Sequence, residues 1–373
     1  MDLTRRTTIG AALAAVLPLP GTAAPVTDAP TYQALALQLA ARSVEGAPDR
    51  AAARAQMLAH IGDVGGKLRG SKVFVEQFTG QALRLVVLPE YLFTSYPGRI
   101  SIPEFADRAA IAADGPEYEA LGKLAQSAGV HIAGNAYETD THFPGLYFQA
   151  SFVVAPSGDV VLRYRRLNSM FAPTPHDVWS KYLDLYGIDG VFPVAKTEIG
   201  NLACVASEEI LYPEIARAHA LRGAEVFCHS SSEIGSPMAT HKHIARRARA
   251  FENLAYVVSA NTAGIEGTSL PLASADGNSA VVDWKGALLS ESNAGETFTA
   301  TGEIDLAALR RARRKPGMTN YLARQRTELF ANAPVVQPSD SLIENGVVKV
   351  PDRDHFRRVQ EQVIERLAKD GLI

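Results

Sequence analysis

The stretch from Thr197 to Glu225, TEIGNLACVASEEILYPEIARAHALRGAE, constrains the fold more than any other part of the chain. Leu202 to Ala206 is an uncharged run that leads straight into Ser207-Glu208-Glu209, the pattern of a buried strand ending at a sharp polar elbow. Tyr212-Pro213-Glu214 then has the marks of a helix start, with Pro in the first turn and an acid beside the positive end of the dipole. Ile215, Ala218 and Leu221 fall on one face of that helix, Gly223 stops it, and a second apolar strand follows at Val226 to Cys228. Strand, elbow, helix, strand is the unit of an α/β protein with functional residues at its strand ends. Ser207 stands on the elbow, lifted above the sheet edge towards the amides of the next helix, where a nucleophile is commonly presented.

The first residues carry a basic head, Arg5-Arg6, an apolar run of small residues and a small-residue exit near Ala23. This predicts an export signal over residues 1–24, with a twin-arginine-like head. Pro18 and Pro20 interrupt the apolar run, so no stable membrane insertion is expected after its removal, and the mature protein is expected outside the cytoplasm, periplasmic or secreted. The whole chain is 47% hydrophobic with a net charge of −3 and no basic stripe interleaved with aromatics, which speaks against nucleic-acid binding. The two cysteines, Cys204 and Cys228, lie in apolar strand stretches and make no disulfide framework.

Along the chain, Tyr32 to Leu39 reads as a strand and Ala51 to Ile61 as a helix, with Lys67 to Gln81 a polar, glycine-containing interruption. Leu83 to Leu88 is a buried strand that ends at Pro89-Glu90-Tyr91. Pro116 to Ala128 is a helix, and Tyr147 to Val154 with Val160 to Tyr164 a hairpin that exits into Arg165-Arg166. Phe171 to Gly190 reads as a loop of aromatics and Asp, either a lid over a site or plain packing. The strand after the central helix ends in His229-Ser230-Ser231-Ser232-Glu233, at the same sheet edge as Ser207 and Glu90. A helix over Arg246 to Asn253 and a strand over Tyr256 to Ala260 follow, then a hairpin from Gly277 with Phe298 to Ile304 as its return. Residues 334–373 form a tail with an amphipathic helix, Asp354 to Lys369.

Several of these motifs, in this order, resemble those of the nitrilase, or carbon-nitrogen hydrolase, superfamily, across residues 31–333. Leu88-Pro89-Glu90 is similar to the strand end that supplies the family's general base, and Tyr164-Arg165-Arg166 to its Tyr-Arg-Lys. Ser207-Glu208-Glu209, Tyr212-Pro213-Glu214 and Arg222-Gly223-Ala224 lie on its Cys-x-Asp/Glu, aromatic-Pro-Glu and Arg-Gly-Ala, and Arg249-Ala250-Phe251-Glu252-Asn253 on its Arg-Ala-x-Glu-Asn. The resemblance implies an α/β fold, the four-layer α-β-β-α sandwich of the nitrilase type, assembled into homodimers or larger homo-oligomers. No cofactor and no metal are expected.

The family's chemistry uses a thiolate, a Glu and a Lys; here those places hold Ser207, Glu90 and Arg166. Tyr91, Glu209, His229, Ser232 and Glu233 are expected to bind substrate. The second Glu that the family often brings from the segment after Arg166 is absent, with Asp177 and Asp184 the nearest carboxylates. A hydroxyl is barely ionised near neutral pH, so Ser207 requires a strong base, either Glu90 or one of His229, His241 and His243. His241 and His243 lack metal-site spacing, and Cys204 becomes the nucleophile only if the elbow shifts by three residues. The expected function is an exported hydrolase acting on a small amide, ester or related carbonyl compound. Two alternatives stand beside it: an inactive protein binding a small, carboxylate-bearing ligand against Arg166, and a non-hydrolytic enzyme using Glu90 as acid and base.

Overall fold

The computed structural model describes residues 31–233, 240–275, 277–330 and 336–372; the expected leader lies outside them. In chain order the strands of the first half are β1 (Thr31–Ala36), the two-residue β2 (Ala41–Arg42), β3 (Leu83–Val87), β4 (His131–Thr139), β5 (Tyr147–Val154) and β6 (Val160–Arg165). Those of the second half are β7 (Ala195–Thr197), β8 (Gly200–Ala206), β9 (Val226–Ser231), β10 (Tyr256–Asn261), β11 (Ile265–Glu266), β12 (Ala280–Val282), β13 (Leu288–Glu291) and β14 (Thr301–Asp305). Two six-stranded mixed sheets result, in the orders β14-β1-β3-β4-β5-β6 and β13-β12-β10-β9-β8-β7.

Strand alternation sorts the apolar residues into three layers of core. Tyr32, Ala34, Leu85, Val87, Leu202, Cys204, Val226, Cys228 and Val258 point inward and pack the sheets face to face. On the outer side of the first sheet, Leu35, Leu83 and Val86 meet α1 (Arg50–Thr79), and α2 (Ile102–Arg108) and α3 (Pro116–Ala128) complete that layer. Ala203, Val205, Phe227 and Val257 face outward from the second sheet, where α5 (Pro213–Leu221) and α6 (His241–Asn253) cover them; between the halves runs α4 (Trp179–Val191). The result is α-β-β-α. After α7 (Leu306–Arg314), α8 (His355–Lys369) ends the tail.

Four sequence expectations change. Residues 67–79 continue α1 rather than interrupting it, from the Asp49 cap to Gly80 at φ 71°, because Val64, Leu68 and Val75 keep one buried stripe running through the glycines. Gly65 in that run is where α1 approaches α3: an added Cβ would stand 3.1 Å from Leu124. The supposed loop 171–190 contains α4, whose two pieces join at Gly187, φ 62°. The helix expected from Arg246 begins at His241, under a Thr240 cap. The hairpin after Gly277 closes within β12 and β13, and the expected return strand, β14, crosses to the first sheet and pairs antiparallel with β1.

His219, fully buried on α5, packs between the rings of Tyr164 and Phe192 at 5.1 and 5.6 Å and makes no well-formed hydrogen bond through either ring nitrogen, only a loose approach to the Pro193 carbonyl. Burial, with Arg222 nearby, pushes its pKa down to about 3. The unfolded chain then takes up a proton between about pH 6.5 and 3 that the folded one refuses. Stability is therefore full above pH 6.5 and falls with acidification through that window, at about 1 kcal/mol per pH unit for this residue. His219→Leu should flatten the slope of melting temperature against pH between 7.5 and 4; a slope unchanged from wild type would contradict this.

Candidate active site

The two sheets are stitched together at the ends of β3 and β9. Glu90 donates its backbone N–H to the Ser231 carbonyl at 3.2 Å, and the Ser230 hydroxyl donates to the Leu88 carbonyl at 2.7 Å. Tyr91 and Ser207 flank this junction, both in the left-handed region, at φ 38° and 47°. Left-handed backbone in residues with a Cβ is strained and concentrates at functional sites. At Ser207 it re-aims the side chain where β8 ends.

Glu90 is 2% exposed, and protein groups hold both oxygens of its carboxylate. One oxygen accepts from Gln149 Nε2 at 2.6 Å and from Arg166 Nη1 at 3.3 Å, and the other from the Ser232 hydroxyl. Arg166 is a bridge. Its Nε donates to the Asn168 carbonyl at 2.5 Å, Nη1 also to Gln149 Oε1 at 2.7 Å, and Nη2 to Glu208. Burial works against its charge, but Glu90, Glu208 and Glu209 outweigh that and hold the guanidinium above its usual pKa.

Ser207 Oγ lies outside this network. Its hydrogen-bond partner is Lys242 Nζ, at 3.1 Å, and the same Nζ is 3.2 Å from Ser231 Oγ. Lys242 is the second residue of α6, and its side chain reaches from there to the ends of β8 and β9. Burial pulls its pKa below the ordinary lysine value against the pull of Glu90 and Glu233.

A cavity of about 890 Å³ opens over these residues. Glu90, Tyr91, Gln149 and Arg166 line it from the first sheet, Ser207, Glu208 and Ser232 from the second. Tyr96, Tyr137, Met170, Phe171, Ile265, Leu270 and Leu272 give it largely apolar walls, and Arg353 and Arg357 reach it from the tail. Arg353 fastens the tail there, donating to the Ile100 carbonyl at 2.6 Å, the Tyr147 hydroxyl at 2.7 Å and the Phe171 carbonyl at 2.9 Å.

Other residues expected at the site stand behind it. Glu209 is wholly buried and accepts from Tyr164 Oη at 2.7 Å and from the Leu167 and Asn168 amides at 2.8 and 3.0 Å; it anchors the strand exit that carries Arg166. His229 donates from Nε2 to the Ser207 carbonyl at 2.9 Å, with Nδ1 2.8 Å from the Ser259 hydroxyl. Burial pushes its pKa down to about 3, so it is a neutral prop for the elbow's backbone and does not reach Oγ. Glu233 accepts from the Thr240 hydroxyl at 2.7 Å, and His243 Nδ1 accepts from the Thr240 amide at 3.3 Å, both at the start of α6. His241 is exposed. Cys204 is buried between the sheets, where contact with Cys228 and burial push its thiol pKa well up. Among the described residues no group of three or more His, Cys, Asp or Glu is placed to hold a metal ion.

Sequence reasoning missed Gln149, Glu208 and Lys242. Gln149 sits on a fully buried strand, where a polar residue needs a partner, and that signal was available.

The model of the carbon-nitrogen hydrolase family matches residues 40–314. The chain belongs to the carbon-nitrogen hydrolase family. This hydrolase-family chain is 24% identical to the omega-amidase of Mus musculus over 259 residues, which is 69% of this chain and 88% of that one. It is 24% identical to a probable nitrilase of Schizosaccharomyces pombe over 213 residues, 57% of this chain and 74% of that one. Among solved structures, Nit3 of Saccharomyces cerevisiae, a member of branch 10 of the nitrilase superfamily, superposes with a TM-score of 0.59 at 18% identity, covering 76% of this chain and 93% of its own. An amidase from Nesterenkonia sp. AN1, seen with the acetamide moiety of fluoroacetamide added to its active-site cysteine, gives 0.57 at 18% identity, covering 81% and 97%.

Proposed function

We propose that this chain is an exported hydrolase of small amides, esters or related carbonyl compounds, with Ser207 as the nucleophile in the place where the family resemblance puts a cysteine. The observation that carries this reading is Ser207 itself: a strained residue at a strand end, lining a walled cavity beside Glu90 and Arg166. Glu90, held by Gln149, Arg166 and Ser232, sets a fixed negative charge on the cavity wall beside the elbow. Arg166 fixes the charges of Glu90 and Glu208 relative to each other. A ligand clasped by Arg166 alone is less well supported, because that guanidinium is already engaged by four protein partners.

The test is a mass-spectrometric search for acyl-enzyme after mixing the mature protein with p-nitrophenyl butyrate and a panel of short amides. An added acyl mass on the tryptic peptide 197–217, at Ser207, is expected. Turnover with no adduct under rapid quench, or an adduct elsewhere, would overturn the reading. Export rests on the leader at 1–24. Protein recovered from the periplasm or medium should begin near residue 25; recovery only from cytoplasm with the leader intact would contradict it.

A further inference from the structure

We propose that Lys242, as the free amine, is the base that takes the proton from Ser207, so that the chain works through a serine–lysine pair instead of a nucleophile served by Glu90. The inference rests on Ser207 being the nucleophile. It follows from how the hydrogen bonds divide. Both oxygens of Glu90 are occupied by Gln149, Arg166 and Ser232, whereas Ser207 Oγ meets Lys242 Nζ at 3.1 Å. His229, the other base near the elbow, bonds the Ser207 carbonyl and not the hydroxyl.

Lys242 is also positioned as a base should be. Its stem rises from the first turn of α6, held by the Thr240 cap, and Ser231 Oγ at 3.2 Å steadies Nζ from a second side. The charged groups around it are Glu90 and Glu233, which favour the ammonium, with Glu208, and Arg166, which disfavours it. Burial acts with Arg166 to hold the Lys242 pKa below that of free lysine.

The proton count closes. The Nζ lone pair takes the Oγ proton as the Oγ–C bond forms and the carbonyl π pair moves onto oxygen. When the C–N or C–O bond breaks, the ammonium so made gives its proton to the departing amine or alkoxide. In the second half, water gives a proton to Nζ as its oxygen attacks the acyl carbon, and that proton returns to Oγ as the ester bond breaks.

The experiment is pre-steady-state acylation by p-nitrophenyl butyrate, followed by p-nitrophenol release and intact mass, in wild type, Lys242→Ala, Lys242→Arg and Ser207→Ala. Wild type should acylate with a rate that rises through an ionisation below that of free lysine. Lys242→Ala should be slower by about 10²–10⁴-fold and partly restored by added methylamine, which a merely structural loss would not allow. Lys242→Arg, which keeps the stem and charge but cannot give up its proton, should remain inert. Acylation of either variant at the wild-type rate overturns the pair while leaving acyl-Ser207, and so the nucleophile, in place. Wild type that forms no acyl-enzyme with the ester or the amides overturns both. If the variants do not fold, the wild-type profile decides: a rate independent of pH between about 6 and 10 excludes Lys242.

Discussion

Ser207→Ala is expected to lower kcat/KM for any ester or amide the protein turns over by at least about 10⁴-fold. The size of the effect follows from chemistry split into two covalent steps: without Oγ neither the acyl-enzyme nor its hydrolysis exists, and only background attack by water remains. The fold should be untouched, because the change removes one atom whose partner is Lys242 and leaves the backbone bond to His229 in place. Equal melting temperatures with a collapsed rate constitute the expected pair of results. Ser207→Cys should retain acylation, since a thiol is partly ionised near neutral pH and depends less on its base. A Ser207→Ala variant that keeps more than about a tenth of the rate, together with loss of turnover in Glu90→Gln, would show that the chemistry is carried by the carboxylate without a covalent intermediate.

Arg166→Ala should be the most damaging single substitution for stability near the site, by about 3–5 kcal/mol. Arg166 and Glu90 are nearly buried, at 11% and 3% side-chain exposure, so removing the guanidinium strands a poorly hydrated carboxylate. Glu208, at 33%, is partly hydrated and adds less. Gln149 loses its acceptor's partner at the same time. The change should appear as a fall of several degrees in melting temperature and as lost activity, because Glu90 is no longer held. Arg166→Lys keeps the charge but reaches fewer of the four partners, so it should fall between. A melting temperature within a degree of wild type for Arg166→Ala would show that the bridge contributes little.

Much of this arrangement was readable from residues alone. The run from Leu202 to the elbow at Ser207, and Pro89-Glu90 after an apolar strand, are local patterns, and each structural outcome lies within a residue or two of its pattern. What escaped was set by distance in sequence. Glu209 has the spacing of a site residue, but the backbone amides of Leu167 and Asn168 claim it, and no local rule shows that they face it. Lys242 sits between two histidines in the first turn of α6. Its meaning comes from the junction of α6 with β8 and β9, which places Nζ between two serines. The continuation of α1 through its glycines is a case of tertiary packing overriding helix propensity.

The pairing of β1 with β14 has a consequence for how the molecule is made. Gln33 and Thr301 share a hydrogen bond although 268 positions separate them, so the first sheet cannot be completed until nearly the whole chain has left the ribosome. Until then β1 has an unpaired edge, of the kind that recruits strands from other molecules. Such high contact order slows folding, and a chain terminated before residue 301 should aggregate instead of forming a smaller working unit. Premature termination ahead of β14 is therefore an all-or-none event for this protein.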